Sequence, residues 1–168
     1  MLPEILSWLQ HGIPIDQATS PSVTLLTAFG LGLFFGAIPA GASELLAIAA
    51  GAVTPHSMVA PLLLVLTLGH VLGKLLWYWF GTLGPRIEHP RAKAWIAKAN
   101  RFTELHPALG VGTLFSSSVA SLPPFHMTVI AAGVVHTPLS VFIATSFAGR
   151  LIRFGLVALM PGLLRFVF

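Results

Sequence analysis

The 168-residue chain predicts an all-α integral membrane protein: an inverted repeat of a re-entrant helical hairpin plus a transmembrane helix, its halves joined by a cytoplasmic amphipathic helix. Three observations carry that prediction. The chain is 55% hydrophobic and 8% charged, with a mean hydropathy of +0.88, too little polar surface to cover a soluble core. Two apolar stretches are each interrupted by a proline-containing break. The short motif Ile48-Ala49-Ala50-Gly51-Ala52-Val53 also returns as Ile130-Ala131-Ala132-Gly133-Val134-Val135.

Residues 1–15 place Leu2, Ile5, Leu6 and Leu9 at helical spacing beside Trp8, which suits a short helix lying in the membrane interface. No basic n-region or small-residue cleavage signal precedes the first apolar segment, so no removable signal peptide is expected. Asp16 to Ser22 reads as a turn, with Ser20 or Ser22 capping the next helix.

From Val23 to Val53 the chain is apolar except for Thr24, Thr27, Ser43 and Glu44, yet Ile38-Pro39-Ala40-Gly41-Ala42-Ser43-Glu44 interrupts it. Pro39 removes a backbone donor and Gly41 admits unusual backbone angles, so a helix breaks there. The pieces on either side would be about 24 and 14 Å long, short of the roughly 30 Å hydrocarbon core. A hairpin entering and leaving on one face fits these lengths, provided its tip is buried in protein or faces water.

Residues 57–83 are long enough to span with tilt, and Trp77, Tyr78 and Trp79 near one end serve as interface anchors. Gly69 and Gly73 form a GxxxG step that predicts close helix packing. Residues 85–106 interleave Arg86, Arg91, Lys93, Lys98 and Arg101 with Trp95, Ile96 and Phe102, an amphipathic surface helix starting near Pro90 and resting on anionic headgroups. After Pro107 a second apolar segment breaks at Ser121-Leu122-Pro123-Pro124-Phe125-His126 and turns at His136-Thr137-Pro138. Residues 138–163 then form the second span, carrying Arg150 and Arg153.

Charge fixes the orientation. Residues 1–73 hold Glu4, Asp16 and Glu44 and no Lys or Arg, whereas all nine basic residues follow, five of them between Arg86 and Arg101. Basic short loops stay cytoplasmic, which places the linker inside. Nucleic-acid binding is the weaker reading of basic residues that lie in a membrane linker and in or beside the two spans. The absence of cysteine removes disulfides and thiol chemistry.

The two IAAG motifs stand 82 residues apart, each after a break and before a turn proline, Pro55 or Pro138, and each leads into one span. A hairpin plus a single crossing delivers its copy upside down, so the two units form an inverted pair with their breaks near the midplane. The chain reads as one membrane domain over 1–168: interfacial segment 1–21, first unit 22–84, linker 85–106 and second unit 107–168.

Glu44 stands just past a break inside an apolar stretch and requires a partner. Alternatively it only caps the second half-helix, whose dipole favours a negative charge there. Arg150 and Arg153 share a helix face and can meet Glu44, half-helix carbonyls or a phosphate, to which a guanidinium fork is suited. His70 and Lys74 lie one turn apart and can face the cavity, although Lys74 can equally snorkel to the headgroups. His126 follows the second break as a titratable group or a hydrogen-bonding residue. No metal or cofactor site is expected. Ser116, Ser117 and Ser118 read as satisfying backbone carbonyls, and no GxSxG, HExxH, phosphate-loop or dinucleotide motif supports an enzyme.

Over residues 30–160 these features resemble the DedA / VTT family, which includes bacterial DedA proteins and eukaryotic lipid scramblases, with the YqaA-like branch nearest. Pro39 to Glu44 followed by Ala49-Ala50-Gly51 resembles its first re-entrant signature. Gly69, Gly73, Tyr78 and Gly81 resemble its G-x3-G-x4-Y-x2-G helix, and Leu122 to Gly133 with Gly149-Arg150 resembles its second hairpin and closing helix. Many members carry an arginine in or just before the second break, where this chain has Ser116-Ser117-Ser118 and His126. The proton-linked role of that arginine carries over only if Arg150 or Arg153 assumes it.

The resemblance implies movement of phospholipid or an undecaprenyl phosphate carrier across a bacterial inner membrane, with a role in membrane homeostasis and with protons as a possible coupling ion. A proton-coupled exporter of small cations or drugs and a non-transporting scaffold are the alternatives, and a homodimer is open.

Overall fold

The computed structural model describes residues 20–38, 43–83 and 90–167. Among them the chain forms seven helices: α1 (Pro21–Ala37), α2 (Ser43–Val53), α3 (His56–Thr82), α4 (Pro90–Leu105), α5 (Pro107–Ala120), α6 (Phe125–Val134) and α7 (Leu139–Val167). The interfacial helix read over residues 1–15 lies outside the described residues, as do Pro39 and Gly41.

Each boundary follows from local chemistry. Pro21 sits at the first position of α1, where its missing N–H costs nothing. Ser20 occupies the cap position, but its Oγ pairs with Ser22 Oγ at 2.7 Å instead of capping the helix. This corrects the expectation of a serine cap: the two hydroxyls satisfy one another. Ile38 ends α1 in an extended conformation, as the residue before a proline must. Ser121 ends α5 with a positive φ of 58°, and α6 starts directly after Pro123 and Pro124. Both breaks therefore fall where the prolines put them.

Among the described residues two helices are long and apolar enough to cross a membrane: α3, and α7 over Leu139–Met160. At 1.5 Å per residue they reach about 40 and 33 Å, whereas α1, α2, α5 and α6 reach only about 26, 16, 21 and 15 Å. The four short apolar helices bury themselves against the two long ones. α1 lies along α3, and α5 lies along α7. The second arm of each pair crosses over: α2 packs on α7, and α6 packs on α3.

Glycines set the closeness of these contacts. A methyl group built on Gly32 or Gly36 of α1 would strike the α3 backbone at Leu66 or His70, and one on Gly69 or Gly73 would strike α1 at Phe29 or Leu33. The GxxxG step thus packs against α1, as its spacing predicts. Gly51 seats on the Ala158 carbonyl of α7 and Gly133 on the Tyr78 carbonyl of α3, so the two IAAG motifs make corresponding contacts with opposite long helices.

Two apolar clusters result. One joins Ala28, Ala47, Ala50, Leu62, Leu63, Leu66, Phe154 and Ala158; the other joins Tyr78, Leu114, Phe125, Val129, Ala132 and Phe142. The first uses the N-terminal half of α3 and the C-terminal half of α7, the second the reverse, so α3 and α7 run antiparallel. Along α3 and α7 the buried Thr67, His70, Lys74, Ser146 and Arg150 stand between the residues of the two clusters. α4 begins at Pro90, as its sequence predicts, and packs mainly on α5, with Phe102 and Leu105 exposed.

Candidate functional site

Glu44 is the second residue of α2, so the break that ends α1 delivers its carboxylate directly to α7. Arg150 Nη1 donates to Glu44 Oε1 at 3.2 Å, and Arg153 Nε donates to the same oxygen at 3.0 Å. Ser43 Oγ donates to Oε2 at 3.2 Å. The predicted partnership of Glu44 with the α7 arginines is present, and it includes both of them. One carboxylate oxygen receives two guanidinium groups, and neither is engaged as a bidentate fork.

The same arginines also hold the second break. Arg153 Nη1 donates to the Val119 carbonyl in the last turn of α5 at 2.9 Å, a cation on the negative end of a helix. The Arg150 guanidinium carbon stands 4.4 Å from the centroid of Phe125, the first residue of α6, and 5.9 Å from that of Phe154. Residues beside both breaks therefore converge on two side chains of one helix. Arg150 is only 5% exposed, while Glu44 and Arg153 are half-buried, so the pair is open on the Arg153 side.

His70 and Lys74 are buried within α3. Lys74 is 4% exposed, an enclosed position rather than a side chain extended to the surface. His70 stacks edge-on to Phe154, with ring centroids 5.6 Å apart. Neither His70 nitrogen has a hydrogen-bond partner among the described residues. His126 is half-buried at the start of α6 and makes no hydrogen bond or ion pair among the described residues; Phe125 beside it, not His126, reaches the arginines. Pro123 and Pro124 lie in the second break as read.

Several contacts that hold the breaks are absent from the sequence reading. The Trp77 indole Nε1 donates to the Ala37 carbonyl at the end of α1 at 2.8 Å, and Tyr78 Oη donates to the Thr137 carbonyl at 2.6 Å. Of the three aromatics expected at the membrane interface, Trp79 is exposed, Trp77 half-buried and Tyr78 buried. Ser117 Oγ donates to the Pro123 carbonyl at 2.6 Å and pairs with Thr128 Oγ1 at 2.8 Å. Ser116 and Ser118 bond the carbonyls of Thr113 and Phe115, as expected of serines in an apolar helix. The available signal was the unsatisfied carbonyl that every broken helix leaves, which calls for a donor from a neighbour.

A cleft of about 460 Å³ lies elsewhere, between α4, α5 and the turn before α7, with Asn100, Glu104 and His136 in its wall. It does not include the ionic cluster.

The model of the VTT domain matches residues 20–161, well over half of the chain. The chain belongs to the VTT-domain family, the DedA family. The match extends to the family and does not reach a branch within it, so the YqaA-like assignment stands outside what it shows. No curated protein and no solved structure matches the chain. Membership of this membrane-associated family agrees with the two long apolar helices.

Proposed function

We propose that this VTT-domain protein moves phosphate-bearing lipid, a phospholipid or an undecaprenyl phosphate carrier, across the bacterial inner membrane, and is a transport protein rather than an enzyme. The arrangement behind this reading is an inverted repeat. α1–α2 and α5–α6 are re-entrant hairpins dipping from opposite leaflets, α3 and α7 are the spans, and α4 lies on the cytoplasmic face. The reciprocal packing of α2 on α7 and α6 on α3, with Gly51 and Gly133 in corresponding seats, supports it.

The single observation that carries the function is the pair of arginines sharing one oxygen of Glu44 between the two breaks. Ionisable groups are kept at this depth for a pathway or a partner, and each guanidinium here retains donors beyond those it gives to Glu44. A lipid phosphate entering from the open Arg153 side would take up these donors while its tails stay in the bilayer. Glu44 offsets the positive charge when the site is empty. In an extension of this reading Glu44 takes up a proton when the phosphate displaces it, linking passage to proton movement.

The test is reconstitution into liposomes with labelled lipid, following headgroup exposure with and without a proton gradient. Arg150→Ala and Glu44→Ala should each abolish most lipid movement in correctly inserted protein. Wild-type rates in both variants would overturn the site assignment. Drug or cation uptake driven by a pH gradient, without lipid movement, would overturn the lipid reading.

A further inference from the structure

The two spans pass each other in a register that two aromatic contacts define. Tyr78 stands against Phe142, with centroids 4.9 Å apart, and His70 against Phe154 at 5.6 Å. Going up α3 in steps of four, Lys74 lies midway between Tyr78 and His70. Going down α7 in the same steps, Ser146 and Arg150 lie between Phe142 and Phe154. Lys74 therefore falls in the same layer as Ser146 and Arg150, with an aromatic pair closing the layer at each end.

This layer is rich in donors and poor in acceptors. Lys74 is 4% exposed, Arg150 5%, His70 2% and Ser146 0%. Arg150 Nε, Ser146 Oγ and both His70 ring nitrogens are buried without a hydrogen-bond partner. Glu44 approaches Arg150 at Nη1, which leaves the side-on edge of that guanidinium, Nε with Nη2, without a hydrogen bond among the described residues. Two cations in one buried layer repel, and each loses its hydration. A carboxylate on one corner of one of them leaves most of that cost standing. An anion seated between them reverses both terms and supplies acceptors to the unpartnered donors.

We propose that Lys74, with the side-on edge of Arg150, forms an oxyanion site behind the Glu44 ion pair, holding a phosphate group carried by a lipid head or by free inorganic phosphate. The Ser146 hydroxyl and the single N–H of the His70 ring complete the donor set. The assignment deepens the lipid-phosphate reading and rests on it only for the source of the anion.

The experiment uses the full chain in an uncharged, phosphate-free detergent. Binding of radiolabelled inorganic phosphate is measured directly, then in competition with a short-chain lipid phosphate and with the phosphate-free lipid of the same chains. Wild type should bind phosphate. Lys74→Met, similar in volume, should weaken that binding at least about tenfold, the equivalent of one charge-assisted hydrogen bond, whereas Lys74→Arg should largely restore it. The unfolding midpoint without phosphate establishes that each variant is folded; if Lys74→Met does not fold, Ser146→Ala carries the same test, with a smaller loss.

Competition by the lipid phosphate alone supports the site with a lipid source. Phosphate binding through Lys74 without such competition supports the site and removes the lipid as its source. Binding by Lys74→Met as tight as wild type, or no binding of either phosphate to wild type, overturns the proposal. Lipid movement in liposomes is scored separately: a wild-type protein that binds phosphate through Lys74 yet moves no lipid keeps this site and loses the transport reading.

Discussion

Replacing Glu44 by glutamine removes the charge that two arginines share while keeping nearly the same shape. The two contacts do not weigh equally. Arg153 is 25% exposed at its side chain and retains the Val119 carbonyl, so its contact with Glu44 behaves as a partly solvated pair, worth up to about 1 kcal/mol. Arg150 is 6% exposed at its side chain, and removing one partner of a buried pair costs about 3–5 kcal/mol. The glutamine carbonyl oxygen still accepts a hydrogen bond from the guanidinium and returns about 0.5–1.5 kcal/mol of that. Glu44→Gln should therefore destabilise the protein by about 2–4 kcal/mol. Replacing Arg150 by methionine in the same chain should recover much of the loss, because no unpaired buried charge remains. The measurement is reversible unfolding in mixed micelles of wild type, both single variants and the double variant. An interaction energy of about 2–3 kcal/mol is expected; additivity within about 0.5 kcal/mol would show that the two side chains do not depend on one another, and the reasoning about the site would fail.

Three further outcomes are expected by the same unfolding measurement. Gly51→Ala and Gly133→Ala press a methyl group into a carbonyl of the opposite long helix and should each cost at least about 1 kcal/mol net. By contrast, Gly30→Ala and Gly155→Ala, where nothing stands within 4 Å, should be neutral or gain up to about 1 kcal/mol; equal effects at all four positions would refute the close-packing account. Trp77→Phe loses the donor to the Ala37 carbonyl and should cost about 1 kcal/mol, with faster hydrogen exchange confined to the end of α1 as the local readout. Ser117→Ala removes the Pro123 carbonyl's donor and the partner of Thr128, so a cost of about 1–3 kcal/mol is expected, and a value near zero would mean that the second break is held by other contacts.

Much of the fold is written in single residues. Pro39 forbids helical geometry at Ile38, and Pro123 and Pro124 do the same work after Ser121, so both breaks and four short helices are legible from prolines and apolar lengths alone. The Glu44–Arg150 pair was legible for a related reason: a lone carboxylate in an apolar stretch must find a cation, and the α7 arginines are the cations placed too deep to reach the headgroups easily. The exchange of arms, α2 onto α7 and α6 onto α3, was not legible, because periodicity marks which face of a helix is apolar and not which helix covers it. The same limit hid the place of Lys74. Spacing along α3 puts it one turn from His70, but only the register against Phe142 and Phe154 brings it level with Arg150. The Trp77 contact was not legible, because an indole near the end of a span suits the bilayer interface as well as it suits a helix terminus.

The exchanged arms also bear on how the chain is made. Glu44 emerges from the ribosome 106 and 109 residues before the arginines that neutralise it, and α2 before the α7 surface that buries it. Until α7 arrives, α1 can already settle along α3, but the first half holds a bare carboxylate and an uncovered glycine-alanine face. Burial of α2 is thus expected to follow the synthesis of α7. A chain truncated after Thr82 should stall with α2 still accessible to water-borne labels.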